Sequence, residues 1–212
     1  MTLRLSFLLA LLLPLGAVAA TPAAPVEGTD YHVIENGTPL APLGGKIEVV
    51  EIFGYWCHHC ADFQPKVEAW KGKLPKDVRF TYLPLPNGES DPFARAFFAS
   101  QAAGTLARTH DATYLAIHTQ ETLPKNPTMD EIAGYYGQLG VDGAKIRALM
   151  ESPAVAAKLK PAREFALRSG LEGTPTLVIN GKYRVDAGSH EERLRIAGEL
   201  IARERAAAKS RR

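Results

Sequence analysis

Two cysteines, Cys57 and Cys60, are the residues whose type and spacing favour covalent chemistry in this chain of 212 residues. They are its only cysteines, and two residues separate them. A disulfide between them would close a very short loop, worth about 2 kcal/mol in the chain-entropy model against about 4.7 kcal/mol for a 100-residue loop. Because such a bridge is a weak crosslink, the spacing favours a reversible redox pair over an inert structural disulfide.

The pair lies where a predicted strand, Ile47 to Phe53, gives way to a predicted helix that runs to about Lys71. A helix N-terminus stabilises a thiolate through its free N–H groups and its dipole. We therefore expect Cys57 to be exposed and reactive, and Cys60, one turn later, to be buried. A stabilised thiolate makes the corresponding disulfide an oxidant.

Three neighbouring residues could tune these sulfurs. Glu51 stands in the apolar strand, where burial would raise its pKa and allow proton exchange with the cysteines; an outward-facing glutamate at the strand edge is the alternative. His59 could stabilise the thiolate as a hydrogen-bond donor or cation, whereas His58 could simply be solvated or contact a client protein. The remaining histidines show no paired spacing, so no metal site is expected.

The start of the chain predicts export. From Met1 to about Ala20, one basic residue, Arg4, precedes an apolar core, which is typical of a signal peptide cleaved near Ala19 or Ala20. An uncleaved anchor is the alternative. We expect the mature protein in an exported compartment, where disulfides persist. The formal net charge of +2, or +1 without Arg4, gives no reason to expect nucleic acid as a partner.

The hydrophobic pattern predicts strands at both ends of the mature chain and helices between them. The predicted order is a strand, a βαβ unit, several helices, and a ββα unit whose hairpin turns at Asn180 and Gly181. We expect a signal peptide (1–20), one discontinuous α/β domain (21–88 and 163–212) and a helical insertion (89–162). The predicted helix caps are Ser90 or Asp91, Thr128 with Glu131, Asp142, Ser152, and Ser189 with Glu192.

Several of these motifs together resemble the DsbA family of periplasmic thiol:disulfide oxidoreductases. They are the segment from Phe53 to Cys60 with Glu51 upstream, the loop from Gly173 to Thr176, and the segment from Val178 to Tyr183. The resemblance covers essentially the whole mature chain. It implies a thioredoxin fold, in which a central mixed sheet is flanked by helices, with an inserted all-helical domain.

The resemblance also implies a second wall for the site. The Thr174–Pro175 bond would be cis and would face the cysteine pair, with the extended backbone of Thr174 available to pair with the main chain of a client. The chain departs from familiar members at two positions. Many of them have proline where this chain has His58, and some have a lysine near the buried glutamate where this chain has Thr81.

The activity implied is dithiol oxidation. The Cys57–Cys60 disulfide would pass to unfolded or partly folded exported proteins with free cysteines, and a DsbB-like membrane protein linked to quinone would reoxidise the pair. We expect a periplasmic monomer with no cofactor besides its own disulfide. A disulfide isomerase or reductase is one alternative, and a non-enzymatic chaperone or binding module with an inert disulfide is another.

Overall fold

The computed structural model describes residues 23–210, and in this range five strands form one sheet packed with seven helices. The predicted signal peptide lies outside the described residues. The strands are β1 (Tyr31–Val33), β2 (Ile47–Phe53), β3 (Val78–Pro84), β4 (Thr176–Ile179) and β5 (Tyr183–Val185). The helices are α1 (His58–Lys71), α2 (Pro92–Ala103), α3 (Leu106–His118), α4 (Met129–Gln138), α5 (Gly143–Glu151), α6 (Pro153–Arg168) and α7 (His190–Lys209).

Strand β2 is the axis of the sheet, whose order is β1-β5-β4-β2-β3. It pairs in parallel with β3 and antiparallel with β4, so the sheet is mixed as predicted. All seven residues of β2 are buried, which explains why the sequence shows no apolar and polar alternation there. The β2-α1-β3 segment forms the predicted βαβ unit, and α1 continues through Pro65.

The segment between β3 and β4, residues 85–175, is described throughout and contains α2 to α6 but no strand. Asp91 caps α2, and Thr128 and Glu131 form a reciprocal capping box at α4, as predicted. The boundary expected between residues 162 and 163 falls inside α6, which is one continuous helix. Within residues 23–210, no helix is both long and apolar enough to cross a bilayer.

Of the capping box predicted at the start of α7, only one of the two hydrogen bonds is present. The hydroxyl of Ser189 accepts a hydrogen bond from the backbone N–H of Glu192. The carboxylate of Glu192, however, binds the guanidinium of Arg195 one turn further along the helix. A nearby cation therefore competes successfully with the backbone N–H that would complete the box.

Strand β2 separates two hydrophobic cores because alternate side chains point to opposite faces. Val50 and Ile52 belong to a core shared with the helical segment, whereas Val49 packs with Phe63 and Val67 of α1. The same alternation places Glu51 on the face of Val49, towards α1. The helix that carries the cysteines thus rests on one face of the strand that precedes it.

The hairpin between β4 and β5 turns at Asn180 and Gly181, with φ values of 54° and 63°. Positive φ at both central residues is the signature of the predicted two-residue turn. Gly181 also lies against a neighbouring loop, since a Cβ atom there would clash with the carbonyl oxygen of Thr38. The turn therefore tolerates no side chain at this position.

Two glycine substitutions test this close approach. Gly104, at the end of α2, has φ 69° and open space around it. We expect Gly104→Ala to lower the free energy of unfolding by about 1 kcal/mol, which is the cost of placing alanine in the left-handed backbone conformation. Gly181→Ala should lower it by at least about 2 kcal/mol more than Gly104→Ala does, because the new Cβ atom would also clash with Thr38. Urea unfolding measures both values. Equal losses would show that the hairpin does not pack against Thr38.

Candidate active site

Cys57 occupies the N-cap position of α1 with an extended backbone, φ −83° and ψ 118°. Its N–H donates to the carbonyl of Gly54 at 3.0 Å, and its carbonyl accepts from Ala61 at 3.2 Å. The chain thus makes one turn after β2 and enters the helix directly. Consequently the sulfur of Cys57 lies beside the backbone N–H groups of His59 and Cys60, which stabilise its thiolate.

The two sulfurs have opposite acidities. The pKa of Cys57 is lowered from 9.0 to about 5, and the largest cause is the hydrogen bond that its sulfur accepts from the Cys60 thiol. This bond and the backbone N–H groups together outweigh burial, which would raise the pKa. Cys57 is only 8% exposed, so the expectation that it is an exposed residue is wrong. Cys60 is fully buried, as expected, and burial raises its pKa well above the ordinary range. Both cysteines are free thiols here, so the structure describes the reduced form. At neutral pH one sulfur is a thiolate and the other a thiol.

The loop before β4 forms the second wall of the site. The Thr174–Pro175 bond is cis, and the sulfur of Cys57 lies 3.2 Å from the carbonyl oxygen of Thr174, as the family resemblance implies. As a thiol, Cys57 donates to this carbonyl. As a thiolate, it accepts from the side chain of Thr174, which contributes to its low pKa. Residues 117 positions apart therefore meet at one sulfur.

A polar groove of about 490 Å³ adjoins this wall, between α1 and the start of α7. Its lining includes His59, Lys66, Thr174, Pro175, His190 and Arg193. Lys66 forms an ion pair across it with Glu191. The groove offers space for an extended chain beside the reactive sulfur.

The two histidines between the cysteines are exposed, and within residues 23–210 neither imidazole hydrogen-bonds to Cys57. Nε2 of His58 lies 3.0 Å from a carboxylate oxygen of Asp62, one turn along α1. His59 contributes its backbone N–H to the thiolate, while its side chain lines the groove. Tuning by the imidazoles stays a prediction. Among these same residues, no three His, Cys, Asp or Glu side chains are arranged to hold a metal ion.

Glu51 is completely buried, so the outward-facing alternative is wrong. Neither carboxylate oxygen has a hydrogen-bond partner among the described residues. Burial raises the pKa of Glu51 to about 8, although the nearby cations Lys71 and Arg193 oppose the rise. The carboxyl group is therefore mostly protonated at pH 7 and can act as a proton donor.

The sheet register corrects the predicted surroundings of Glu51. Tyr82, not Thr81, lies opposite it on β3, whereas Thr81 lies opposite Val50 and so points to the other face. The nearby positive charge comes instead from helices, through Lys71 on α1 and Arg193 on α7.

A chain of polar side chains, which the sequence pattern does not predict, extends from Tyr82 to the surface. The Tyr82 hydroxyl donates to Glu68 at 2.6 Å and accepts from Gln64 at 3.1 Å. Gln64 also donates to Asp111 at 2.8 Å. The only available sequence signal was the four-residue spacing of Gln64 and Glu68, which places them on one face of α1.

Two histidines of α3 also contact the turn before Cys57, although their spacing in the sequence indicates no role beside the cysteines. The hydroxyl of Tyr55, two residues before Cys57, lies 2.7 Å from Nδ1 of His110. Its carbonyl oxygen lies 2.7 Å from Nε2 of His118. The helical segment therefore contacts the turn that carries the reactive cysteine.

The chain is similar in sequence and fold to known proteins. The model of the DSBA-like thioredoxin domain family matches residues 48–195. The thiol:disulfide interchange protein DsbA of Pseudomonas aeruginosa is 38% identical over 186 residues, which cover 86% of this chain and 87% of that protein. The crystal structure of the oxidoreductase DsbA from Xylella fastidiosa has a TM-score of 0.83 and 46% identity, covering 87% of this chain and all of that one. NmDsbA1 of Neisseria meningitidis has a TM-score of 0.74 and 28% identity, covering 87% of this chain and 96% of that one.

Replacement of each buried glutamate of β2 by glutamine should change the free energy of unfolding in opposite directions. Glu51 binds a proton more tightly in the folded protein than in the unfolded chain. The free energy of unfolding therefore falls as the pH rises from 4.5 towards 8, because the unfolded chain can release this proton and the folded protein cannot. We expect Glu51→Gln to raise the free energy of unfolding by about 3 kcal/mol at pH 7 and by almost nothing at pH 4. Chemical denaturation at both pH values measures this difference.

Glu48 is the matched control. Its carboxylate accepts from the N–H groups of Leu40 and Ala41 and from Arg79, at 2.7, 3.2 and 2.6 Å. Glu48→Gln should therefore lower the free energy of unfolding by about 2 kcal/mol at pH 7. A loss of stability for Glu51→Gln at pH 7 would contradict a buried carboxyl group without partners.

Proposed function

This chain belongs to the DSBA-like thioredoxin domain family of thiol:disulfide oxidoreductases, and from that premise we propose that it is a dithiol oxidase. It donates the Cys57–Cys60 disulfide to reduced, newly exported proteins. The observation that carries this direction is the low pKa of Cys57, about 5. A reductase would not need a reduced state stabilised to this degree, because this stabilisation weakens its reducing power.

The energetic argument follows from the thiolate. With a pKa about two units below pH 7, Cys57 is about 99% ionised in the reduced protein. Relative to a cysteine of ordinary acidity, this stabilises the reduced form by about 3 kcal/mol at pH 7. For a two-electron couple the same free energy corresponds to about 60 mV, in the oxidising direction. The low pKa of Cys57 therefore favours the transfer of electrons from the client to this protein.

In the first step, a client thiolate attacks the sulfur of Cys57 in the disulfide form. The bond between the client sulfur and Cys57 forms, the Cys57–Cys60 bond breaks, and Cys60 leaves as a thiolate. A buried thiolate is unfavourable because burial keeps the pKa of Cys60 high. Glu51, protonated at neutral pH, supplies the proton, and the polar chain through Tyr82 and Glu68 leads towards solvent.

In the second step, another thiolate of the client attacks the client sulfur of the mixed disulfide. A disulfide forms within the client, and Cys57 leaves as a thiolate. The client loses two electrons, and the cysteine pair of this protein gains them. The hydrogen bond from Cys60 and the N–H groups at the start of α1 stabilise the leaving thiolate, and so favour completion of the reaction.

Client binding and reoxidation of the cysteine pair complete the proposed cycle. The backbone of Thr174 pairs with the extended main chain of a client, and the polar groove beside Pro175 accommodates neighbouring client residues. We further propose that the protein works in the periplasm as a monomer, with its cysteine pair as the sole redox group. A DsbB-like membrane protein, linked to quinone, restores the disulfide.

Cysteine variants test the oxidase activity. The oxidised protein is mixed with a reduced, unfolded protein that has two cysteines, and client disulfide is measured over time after acid quenching. We expect rapid oxidation by the native chain and none above background with Cys57→Ser, because the attacked sulfur is missing. Cys60→Ser cannot form the disulfide and should not oxidise the client. When its Cys57 is first activated by a small aromatic disulfide, it should accumulate a mixed disulfide with a client that has a single cysteine, because no second thiol is available to resolve that bond.

Equal activity of the Cys57→Ser protein and the native chain would contradict the proposal. Reduction of client disulfides by the reduced native protein, faster than oxidation by its disulfide form, would favour the reductase alternative. A chaperone would keep the client soluble to the same extent with both cysteines replaced by serine, without forming any client disulfide.

A further inference from the structure

Helix α3 holds Tyr55 at two points. The Tyr55 hydroxyl lies 2.7 Å from Nδ1 of His110, and the Tyr55 carbonyl lies 2.7 Å from Nε2 of His118. A carbonyl oxygen can only accept, so Nε2 of His118 carries the proton and donates. His110 is buried, and burial lowers its pKa to about 3, so it is neutral at pH 7 and accepts from the tyrosine hydroxyl.

The spacing of residues along α3 creates the surface that contacts Tyr55. His110, Tyr114 and His118 follow each other at intervals of four residues, so their rings lie along one face of the helix. Tyr55 is almost fully buried against this face, with its ring centroid 5.0 Å from that of Tyr114 and 5.1 Å from that of Phe53. The position of Tyr55 is therefore fixed by packing as well as by hydrogen bonds.

Tyr55 lies inside the turn that delivers Cys57 to the helix. The N–H of Cys57 bonds to the carbonyl of Gly54, which closes this turn around Tyr55 and Trp56. The indole of Trp56 lies directly on Gly54, because a Cβ atom there would be 2.7 Å from the ring. Any displacement of the Tyr55 carbonyl would move the peptide groups that set the position of the Cys57 sulfur over the first turn of α1.

We propose that His118 is a positioning residue for the redox reaction: by donating to the Tyr55 carbonyl, it fixes the turn that aims the Cys57 sulfur at its hydrogen-bond donors. The helical segment between β3 and β4 thereby sets the oxidising strength of a cysteine pair that belongs to the thioredoxin part of the chain. This inference deepens the proposed function and rests on it.

A charge on His118 is the competing explanation, since a nearby cation would also favour a thiolate. The groups near it at the rim of the site are His58, whose ring centroid is 6.0 Å from that of His118, and the aspartate Asp62 that pairs with His58. Glutamine separates the two explanations. Its Nε2 can donate to the Tyr55 carbonyl as Nε2 of histidine does, but it carries no charge.

The test compares His118→Phe, which removes the donor, with His118→Gln, which keeps it. Leu115→Gln is the control, because Leu115 is on the same helix and 49% exposed. Thiolate absorbance gives the acid dissociation constant of Cys57, equilibration with glutathione gives oxidising strength, and thermal unfolding gives stability. We expect His118→Phe to lower the acid dissociation constant of Cys57 about three- to tenfold, and to lower the equilibrium constant for oxidation of glutathione by the same factor. For His118→Gln and Leu115→Gln we expect both constants to stay within about twofold of the values for the native chain.

Two results would overturn the inference. One is an unchanged dissociation constant in folded His118→Phe, and the other is an equal change in His118→Gln, which would assign the effect to charge. If His118→Phe does not fold, His118→Ala carries the same prediction, since it also removes the donor. Acid dissociation is measured without a client, so failure of the native chain to oxidise a client would contradict the proposed function and leave this comparison valid.

Discussion

Two sulfur atoms one helical turn apart lie in different electrostatic environments, because only one of them faces the free N–H groups at the start of α1. Cys57 receives those donors together with the thiol hydrogen of Cys60, and its pKa falls to about 5. Cys60 is surrounded by protein, and its pKa rises. Each residue strengthens the difference, since the proton retained by Cys60 is the one that hydrogen-bonds to the Cys57 thiolate. The proposed attack at Cys57 and the protonation of Cys60 both depend on this asymmetry.

The surrounding fold maintains the asymmetry from three sides. Strand β2 and its turn place Cys57 at the N-cap, the loop before β4 brings the carbonyl oxygen of Thr174 to 3.2 Å from the sulfur, and α3 fixes Tyr55 within the turn. Within β2 the two glutamates have separate roles. Glu48 is fully hydrogen-bonded and ties the loop at Leu40 to the sheet, whereas Glu51 has no hydrogen-bond partner within residues 23–210 and is kept neutral by burial. An unsatisfied buried carboxyl group costs stability, and this cost is consistent with a role in proton transfer.

Local features of this fold were predictable from the sequence, and tertiary ones were not. The cysteine spacing, the strand before it, the cap at Asp91 and the turn at Asn180 each depend on a few neighbouring residues, so the pattern contains them. The cis bond before Pro175 was expected from family resemblance alone. The residue opposite Glu51 depends on strand register, where a shift by one position exchanges Tyr82 for Thr81 and reverses the face. His118 contacts a carbonyl 63 residues away, for which no local pattern exists.

Titration of the thiols in the reduced protein tests the asymmetry most directly. Thiolate absorbance near 240 nm is followed from pH 3 to pH 9 and compared with the oxidised protein, which has no thiol to ionise, to remove the tyrosine background. We predict one thiolate per molecule, formed with a midpoint near pH 5, and no second thiolate up to pH 9. A first midpoint above pH 8, or two thiolates formed by pH 9, would contradict it.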